Sequence, residues 1–388
     1  MSTDLRAPAP VEDTSGAWRT ARSRVWSVIS RLDPLAGPNG LDPYLRHLDR
    51  TWSGHDIRGR IVALGHPTTD SVRLTVRPSA GWTGFVAGQH VTVGVEIDGV
   101  RHQRCFSPAT STHRSDTFDL IVKVHPGSVV GRHLRSTARV GDVVGIDGPS
   151  GNFTLPEPAA RPDRMLLVSG GSGCTPILSM IRTLADERHS GAVTWLHYDR
   201  SPKAVVHDAD LDRLRALLPG LRTFTAFTRA DGTGDLDGHL TEAHLDHVEP
   251  GWRGLPIWAC GPAALLGDVR TCFDAAGVPD AVHAEAFTFD LAPAPASYDG
   301  GGTVSLRRSG RTIDDDGRPL LVQAEAAGLS PAHGCRMGIC HTCTTPLVAG
   351  TVRDLTSDVL TTVAPGDPCG TGVRLCVSAP VGDVELDL

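Results

Sequence analysis

The chain has 388 residues, and its 44 acidic residues outnumber its 37 Lys and Arg residues, giving a formal net charge of −7. This balance argues against a protein that holds nucleic acid on a broad basic surface. The length allows about two to four domains. No run approaches the roughly 18 apolar residues of a membrane span, and residues 1–10 lack the apolar core of a signal peptide, so we expect a soluble, cytoplasmic protein.

Residues 1–54 have the pattern of an N-terminal tail followed by a helical extension. The tail, residues 1–16, is rich in Pro, Ala, Ser and Thr, whereas residues 17–32 place apolar side chains at helical spacing. A second short helix is predicted over residues 43–52. The basic amphipathic helix suits either a membrane surface or the protein's own surface, and Arg22 within its apolar face favours the second.

Residues 55–158 have the short alternating strands of an antiparallel β-barrel. Strands are predicted over Ser71–Val76, His90–Ile97 and Phe118–Val124, separated by turns rich in Gly, Pro, Asp and Ser. Sequential strands of this length close most simply on one another, so we expect a compact barrel in this part of the chain.

A candidate ligand-binding strand within the barrel reads Arg104-Cys105-Phe106-Ser107. An arginine, an aromatic ring and a hydroxyl at this spacing can hold a pyrophosphate, stack on a flat heterocycle and hydrogen-bond to its edge. The same four residues would also fit an ordinary strand with an exposed arginine and no ligand. The motif therefore needs support from the rest of the chain.

Residues 159–292 supply that support, because they alternate strands and helices as in an open α/β sheet. An apolar strand over Arg164–Gly170 runs into a glycine-rich turn and a helix, an arrangement that binds pyrophosphate through backbone amides and the helix dipole. The spacing differs from the Rossmann G-x-G-x-x-G motif. The candidate ligands for the dinucleotide are Gly170, Gly171, Gly173 and Thr175.

A second candidate dinucleotide segment is Cys260-Gly261-Pro262. It follows a predicted strand, and open α/β sheets bind ligands at the carboxyl ends of their strands. Cys260 has an ordinary alternative role, because a cysteine in an apolar strand is more often a buried core residue than a reacting one.

The residues after the strand at Val193–Tyr198 bear on the choice of nicotinamide. An acid in this region favours NADH by binding the ribose 2′-hydroxyl, and a cation favours the 2′-phosphate of NADPH. Here one acid is followed by two cations and a hydroxyl, so we predict NADPH, with Arg200 as the main ligand and NADH as the alternative. The four residues are Asp199, Arg200, Ser201 and Lys203.

Residues 293–302 have the Pro, Ala and Gly composition of a linker, and residues 303–388 form a last module. This module contains a C-x4-C-x2-C run and a distant fourth cysteine, the ligand spacing of plant-type [2Fe–2S] clusters. Two irons bridged by sulfide need four thiolates, and one tight loop can supply three of them. The predicted ligands are Cys335, Cys340, Cys343 and Cys376.

Two alternatives concern this cysteine pattern. Zinc sites usually combine two short C-x2-C-like pairs, and here the fourth cysteine has no close partner, so a cluster is preferred. Cys369, in a Gly/Pro-rich loop, competes for the fourth position, but Cys376 lies in an apolar, strand-like run and is the better candidate. The other cysteines are scattered singly, as expected in a reducing compartment.

In this order, the motifs resemble the ferredoxin reductase-like flavoproteins with a fused C-terminal plant-type ferredoxin, among them the phthalate dioxygenase reductases. The resemblance is closer to actinobacterial oxidoreductases proposed to feed electrons to acyl-CoA or acyl-lipid desaturases. It rests on four further segments: Asp49-Arg-Thr-Trp-Ser53, Asp98-Gly-Val-Arg-His102, Gly338-Ile-Cys-His-Thr-Cys343 and Gly382-Asp-Val-Glu-Leu-Asp-Leu388.

The resemblance implies a β-barrel flavin domain, an α/β nucleotide-binding domain and an α+β (β-grasp) ferredoxin domain. It makes Arg104 a flavin pyrophosphate ligand, Phe106 the residue beside the isoalloxazine ring and Ser107 the partner of flavin N5. It makes Gly170–Thr175 the dinucleotide pyrophosphate loop and Cys260-Gly261-Pro262 the wall beside the nicotinamide. Ser107 and Cys260 are therefore the candidate catalytic residues.

The sequence departs from the family pattern at two positions. Phe106 stands where the family usually has tyrosine, which keeps the stacking surface and loses a hydroxyl. Gly131 stands where a second flavin-phosphate motif usually has serine, so the phosphate site also loses a hydroxyl. FAD is expected from the resemblance, with FMN as the alternative.

These cofactors predict an NAD(P)H-dependent oxidoreductase with one direction of electron flow. A nicotinamide gives two electrons as a hydride and an iron–sulfur cluster takes one at a time, so a flavin is needed between them. The expected acceptor is an oxygen-activating iron enzyme, first a fatty-acyl desaturase, and any membrane contact would be indirect, through that partner. The alternatives are a Rieske oxygenase or cytochrome P450 as acceptor, or a redox sensor without turnover.

Overall fold

The computed structural model describes residues 49–388 apart from short gaps. The gaps are residues 54–55, 115, 126–127, 207–209, 231, 289–300, 335–337, 339–340, 357, 365 and 367–370. The predicted tail and the predicted helix over 17–32 lie outside the described residues, as does most of the predicted helix over 43–52. Its last residues, 49–52, form a turn rather than a helix, in which the Trp52 amide donates to the Asp49 carbonyl at 2.9 Å.

The first sheet is the predicted antiparallel barrel, with strand order β4-β3-β6-β1-β2-β5. Most of its strands alternate buried with more exposed side chains, and the buried side chains share a common core. The edge strands are joined through a single bridge between Pro108 and Leu120. The elements are β1 (Ile57–Gly65), β2 (Ser71–Pro78), β3 (His90–Ile97), β4 (Val100–Phe106), β5 (Phe118–Lys123), α1 (Val129–Ser136) and β6 (Val143–Ser150).

The second sheet is the predicted α/β sheet, with strands β10-β9-β8-β7-β11-β12 all parallel. Helices cover its central strands, so β7 and β8 are buried almost throughout and read as continuous apolar runs. The elements are β7 (Arg164–Gly170), α2 (Cys174–Asp186), β8 (Ala192–Asp199), α3 (Leu211–Leu217), β9 (Leu221–Phe227), β10 (Leu236–Asp237), α4 (Glu242–Val248), β11 (Ile257–Pro262), α5 (Ala263–Ala275) and β12 (Val282–Thr288).

The third sheet is mixed, with order β14-β13-β18-β15-β16 and β17 paired to β15. A parallel pair, β13 with β18, lies between antiparallel neighbours, and the helix packs its apolar face on this sheet, as in a β-grasp fold. The elements are β13 (Thr303–Leu306), β14 (Arg311–Asp314), α6 (Leu320–Ala326), β15 (Thr344–Asp354), β16 (Leu360–Val363), β17 (Thr371–Arg374) and β18 (Ser378–Leu386). All three predicted fold classes are confirmed.

No helix among the described residues is long and apolar enough to cross a membrane.

The barrel and the α/β sheet meet along a buried face, which we call the seam. Its apolar part joins Phe153 and Leu155 of the barrel side to Ile177 and Met180 of α2. Burial of such side chains contributes about 25 cal/mol for each Å² of apolar area removed from water. The seam is therefore part of the hydrophobic core and not a loose contact between separate domains.

An ion pair crosses the seam beside this apolar contact. The Lys123 Nζ at the end of β5 lies 2.7 Å from Asp199 Oδ2 at the end of β8, and both side chains are over nine-tenths buried. Burial acts to raise the pKa of the Asp199 carboxyl, but the hydrogen bond from His197 and the charge of Lys123 outweigh it and hold the pKa well below its usual range. The pair therefore stabilises the folded chain at neutral pH.

We predict that Lys123→Met lowers the free energy of unfolding at neutral pH by about 3–5 kcal/mol, because it leaves a buried carboxylate without its cation. Urea denaturation followed by tryptophan fluorescence measures this difference. Since the folded pKa of Asp199 is depressed, the contribution of the pair is present above the unfolded pKa near about 4 and is lost as pH falls toward the folded value.

The chain's only other lysine is a matched control, because Lys203 is exposed. Lys203→Met should change the unfolding free energy by no more than about 0.5 kcal/mol. Equal stability of the two variants at neutral pH would show that the buried pair does not hold the seam together.

Candidate functional site

The glycine-rich turn after β7 packs directly on the backbone of β11. A Cβ at residue 173 would lie 2.3 Å from the Cys260 carbonyl oxygen, and one at residue 170 would lie 2.9 Å from Pro262 Cδ. Only glycine allows this approach. The structure thus brings together the two segments that the sequence predicted to contact the dinucleotide, one at its pyrophosphate and one at its nicotinamide.

The outer side of the same turn is open. Gly171 has φ +54, and no atom lies within 4 Å of the position that its Cβ would take. The Thr175 hydroxyl instead donates back to the Ser172 carbonyl at 3.2 Å and is buried, so it stabilises the turn. Helix α2 begins here with its amides at the carboxyl edge of the sheet, which suits an anionic pyrophosphate.

The turn lies where the strand order reverses. Strand β7 pairs with β8 on one side and with β11 on the other, and the connections leave in opposite directions from this point. Open α/β sheets bind their ligands in the crevice at such a switch point. The dinucleotide site predicted from sequence therefore has the position that the topology favours.

Ser107 immediately follows barrel strand β4. Its side chain is buried, and among the described residues its Oγ has no hydrogen-bond partner. A buried hydroxyl normally has a partner, so the position fits a polar ligand edge. Phe106 is half-buried against the barrel core, which leaves part of its ring available for stacking. These residues fit a flavin whose reactive edge reaches Ser107.

Arg104 reaches from the barrel to the ferredoxin domain. Its Nη1 donates to the Gln103 carbonyl at 2.7 Å and to the Gly334 carbonyl at 3.4 Å. Gly334 directly precedes Cys335, the first predicted cluster ligand. The arginine expected to bind the flavin pyrophosphate therefore also contacts the start of the cluster loop.

The second predicted flavin-phosphate segment is the start of α1. The Gly131 amide donates to Ser128 Oγ at 3.1 Å, so Ser128 caps the helix. A Cβ at residue 131 would lie 2.5 Å from this hydroxyl. The Ser128 hydroxyl thus lies beside the position that the side chain of the family's serine would take.

Cys260 is fully buried in the core at the seam. Burial raises the pKa of its thiol well above the usual range, and the nearby Glu285 carboxylate acts in the same direction. The side chain is therefore a neutral thiol at physiological pH. Such a group can shape an apolar wall beside a ring but is a poor nucleophile.

Two residues that the sequence patterns did not single out meet beside this wall. Glu285 lies on β12, directly opposite Cys260 in the strand register, and its Oε1 is 3.5 Å from Nδ1 of His90 on β3. Only the fold brings them together.

The carboxyl ends of β8 and β9 carry the residues that bear on the choice between NADPH and NADH. The Asp199 carboxylate faces Lys123 and accepts from the Arg200 amide at 2.7 Å, so it is not available to a ribose. The Arg229 amide donates to the Arg200 carbonyl at 3.1 Å, and the side chains of both arginines are exposed. Arg229 is a second basic residue at this edge that the sequence analysis missed.

The cluster loop is described in part. Cys343 Sγ lies 3.3 Å from Cys376 Sγ, both cysteines are buried, and the Gly338 amide donates to Cys376 Sγ at 3.2 Å. Two close thiols, of which Cys376 also receives a backbone N–H, fit the ligand set and outer shell of an iron–sulfur cluster. Predicted ligands Cys335 and Cys340, and the rival Cys369, lie outside the described residues.

The local structure around Cys376 differs from the prediction. Residues 375–377 form a turn between β17 and β18 rather than a strand, and the turn directs the Cys376 sulfur toward Cys343. Arg374 holds the loop that contains Gly338. Its Nη1 donates to the Gly338 carbonyl at 2.6 Å, and its Nη2 pairs with Asp354. Gly338 has φ +73, a conformation that favours glycine.

Comparisons with known proteins agree with this geometry. The sequence matches an oxidoreductase FAD-binding domain over residues 66–155, an oxidoreductase NAD-binding domain over 167–271 and a 2Fe-2S iron-sulfur cluster binding domain over 304–381. An NADPH oxidoreductase of Mycobacterium tuberculosis is 35% identical over 392 residues, covering 99% of this chain and 97% of its own length.

Two further relatives cover most of this chain. The glycine betaine monooxygenase reductase subunit of Chromohalobacter salexigens is 27% identical, covering 78% of this chain and 87% of its own. The structure of phthalate dioxygenase reductase superposes with a TM-score of 0.57 at 24% identity, covering 86% of this chain and 98% of its own. The chain therefore belongs to the ferredoxin reductase-like flavoproteins with a fused C-terminal ferredoxin, and is an NAD(P)H-dependent oxidoreductase with FAD and a [2Fe–2S] cluster as cofactors.

Proposed function

We propose that this protein passes electrons from NADPH through FAD to the cluster, and from the cluster to an oxygen-activating iron enzyme. The contact between Arg104 and the Gly334 carbonyl is the main support, because it joins the flavin strand to the start of the cluster loop. Electron transfer between the two groups needs such proximity. The domains we assign are 1–54 (N-terminal extension), 55–158 (flavin), 159–292 (nicotinamide), 293–302 (linker) and 303–388 (ferredoxin).

The flavin, when bound, accepts a hydride and releases electrons singly, and the chain's residues hold the reactants for that chemistry. Ser107 Oγ donates to the flavin edge at N5, and Phe106 stacks beside the ring. Arg104 binds the flavin pyrophosphate, assisted by the Ser128 hydroxyl at the start of α1. Alignment of this kind is the main contribution that a protein makes to hydride transfer.

The dinucleotide binds on the other side of the seam. The open turn of Gly170, Gly171 and Gly173 holds its pyrophosphate, with Thr175 fixing the turn. The segment Cys260-Gly261-Pro262 forms the wall beside the nicotinamide, with Cys260 as a neutral thiol. The buried packing at this wall keeps water away from the hydride.

The electron acceptor is proposed from the resemblance and the relatives. The family likeness favours a fatty-acyl desaturase. Relatives include reductase components of monooxygenases, among them propane 2-monooxygenase of Mycolicibacterium smegmatis, which favours an oxygenase as the second candidate. The ferredoxin module has 7 Lys and Arg against 10 acidic residues between 300 and 388, so a partner with a basic docking face fits either case.

We predict that Ser replacement of any one of the four proposed ligands abolishes the visible absorption of the cluster, because each thiolate completes the coordination of an iron. The four variants are Cys335→Ser, Cys340→Ser, Cys343→Ser and Cys376→Ser. Cys369→Ser is the matched control and should keep the spectrum. Retention of the cluster in Cys376→Ser together with its loss in Cys369→Ser would overturn the assignment.

We predict that Arg200→Ala and Arg229→Ala each reduce the ratio of kcat/KM for NADPH over NADH by about tenfold, since a charged hydrogen bond to the 2′-phosphate contributes about 1.5–3 kcal/mol. Asp199 should not compensate, because its carboxylate faces Lys123. Steady-state kinetics with both nucleotides measures the ratio. Arg270→Ala, at an exposed position of α5, is the control, and an unchanged ratio in both test variants contradicts the NADPH proposal.

We predict that a chain ending at residue 292 folds, binds FAD and still reduces ferricyanide with NADPH, because hydride transfer does not involve the cluster. Its reduction of cytochrome c should collapse, since those electrons leave through the ferredoxin domain. Adding residues 300–388 as a separate protein should restore only part of the rate, because covalent attachment raises the effective concentration.

The full chain and the chain ending at residue 292 also test which enzyme accepts the electrons. The full chain should support product formation by an acyl desaturase, and a Rieske oxygenase supplied in the same assay is the competing acceptor. Full activity of the truncated chain with either enzyme would make the flavin, not the cluster, the point of electron exit.

A further inference from the structure

An arginine of the ferredoxin domain joins three segments that meet beside the proposed cluster ligand Cys376. Arg374 is the last residue of β17 and lies two residues before that cysteine. Its Nη1 donates to the Gly338 carbonyl at 2.6 Å, and its Nη2 pairs with Asp354 at the end of β15. One guanidinium therefore connects the cluster loop with the sheet of the domain.

The contact at Gly338 continues to the sulfur of Cys376. The Gly338 amide donates to Cys376 Sγ at 3.2 Å, and both residues are buried. Gly338 has φ +73, and a Cβ there would lie 2.9 Å from Val377 Cγ2 and 3.4 Å from Arg374 Nη1. The arginine therefore anchors the residue whose amide points at the ligand sulfur.

The other side of the guanidinium contacts an ionised carboxylate. Asp354 accepts from the Thr356 amide at 2.8 Å as well as from Arg374. Burial acts to raise the pKa of the Asp354 carboxyl, but the hydrogen bonds from Thr356 and the charge of Arg374 outweigh it and lower the pKa. Two opposite charges therefore lie beside the residues that border the cluster.

The backbone around this pair has its own bonds to the turn of residues 375–377. The Leu355 amide donates to the Val377 carbonyl at 2.7 Å, and the Leu375 amide donates to the Cys343 carbonyl at 3.3 Å. Neither bond uses the guanidinium or the carboxylate. Replacement of either side chain therefore leaves the turn anchored, so its effect can be measured in a folded domain.

Both side chains can influence the reduction potential of the cluster. That potential depends on the net charge around the cluster and on hydrogen bonds to its sulfurs. Reduction adds a negative charge, so a nearby cation or an N–H bond to sulfur favours it, and a nearby carboxylate opposes it. Arg374 and Asp354 are only 29% and 17% exposed, so water screens their charges incompletely.

We propose that Arg374 and Asp354 together set the reduction potential of the cluster, an inference that rests on the electron path proposed above. Arg374 raises the potential by its charge and by holding the Gly338 amide against Cys376 Sγ. Asp354 limits that rise by its negative charge. Arg374 is therefore a positioning residue, since it acts through Gly338 and is not itself a ligand.

The test is a redox titration of the full-length protein with FAD and cluster, with dithionite as reductant and the EPR signal of the reduced cluster as readout. In Arg374→Gln, the equilibrium constant for reduction should fall at least about tenfold, which for one electron is about 59 mV. In Asp354→Asn, it should rise at least about threefold.

The opposite signs separate this role from a structural one. Loss of a purely structural pair would disturb the cluster loop in the same way whichever partner was replaced. Shifts in the same direction, or a shift of less than about twofold in either variant, overturn the proposal. If Arg374→Gln does not retain the cluster, Asp354→Asn decides alone, and a potential that fails to rise refutes the proposal.

The ferredoxin domain provides a matched control pair. Arg308 pairs with Asp387, but the arginine side chain is 71% exposed, and its amide donates to the Leu388 carbonyl and not to the cluster loop. Arg308→Gln and Asp387→Asn make the same changes of charge, and each should shift the equilibrium constant by less than about twofold, because water screens exposed charges. Shifts as large as those at Arg374 and Asp354 would mean that the overall charge of the domain sets the potential, and would overturn the proposal.

A second readout connects the potential with the electron path. After anaerobic addition of one equivalent of NADPH, the reduced fraction of the cluster should be smaller in Arg374→Gln and larger in Asp354→Asn than in the unaltered protein. Flavin reduction should stay within about twofold, since both residues lie in the ferredoxin domain. Absence of cluster reduction by NADPH in the unaltered protein refutes the proposed electron path instead, because the dithionite titration still measures the potentials.

Discussion

The close approach of the Gly173 backbone to the Cys260 carbonyl is the constraint on which the rest of the site depends. Because a Cβ at residue 173 would lie 2.3 Å from that oxygen, a larger side chain would push the glycine turn away from β11. The start of α2 would move with it, and α2 carries much of the apolar face that packs on the barrel. The absence of a side chain at Gly173 therefore allows the glycine turn, β11 and the seam to pack against one another. Such a position tolerates no conservative replacement, since the clash is with backbone and not with a movable side chain.

Two of the ionisable pairs that cross the seam are largely buried, and their geometries differ. Lys123 and Asp199 are 2.7 Å apart and closed, so they hold the barrel to the α/β sheet. His90 and Glu285 are 3.5 Å apart, with atoms left unsatisfied beside a glycine that keeps the gap open. Burial makes a closed pair rigid and leaves an open one costly unless a ligand or a proton completes it. The closed pair therefore stabilises the seam, whereas the open pair leaves buried polar atoms unsatisfied among the described residues.

Local chemistry determined which of these features could be predicted. The cluster ligands follow from spacing because two irons need four thiolates, and the strand at Arg164–Gly170 follows from an apolar run that ends in glycines. The turn at Cys376 was predicted as strand because Leu375, Cys376 and Val377 form an apolar run, and a short apolar run does not distinguish a strand from a buried turn. The positions of Arg229 and Glu285 at the site could not be predicted from the sequence. Arg229 follows an ordinary strand and Glu285 lies within one, and strand order alone places them beside Arg200 and Cys260.

The contact between Arg104 and Gly334 explains why a covalent fusion suits this electron path. A single hydrogen bond of 3.4 Å contributes at most about 1 kcal/mol, too little to hold a separate ferredoxin at the flavin edge. Covalent attachment makes the encounter intramolecular, with an effective concentration in the millimolar range for a short connection. Weak docking also has a functional advantage, because a cluster domain bound tightly to the flavin would give up its electrons slowly to an external partner. The same arginine would meet both the flavin pyrophosphate and the cluster loop. Substitution of Arg104 would therefore affect the flavin site and the contact with the cluster loop together.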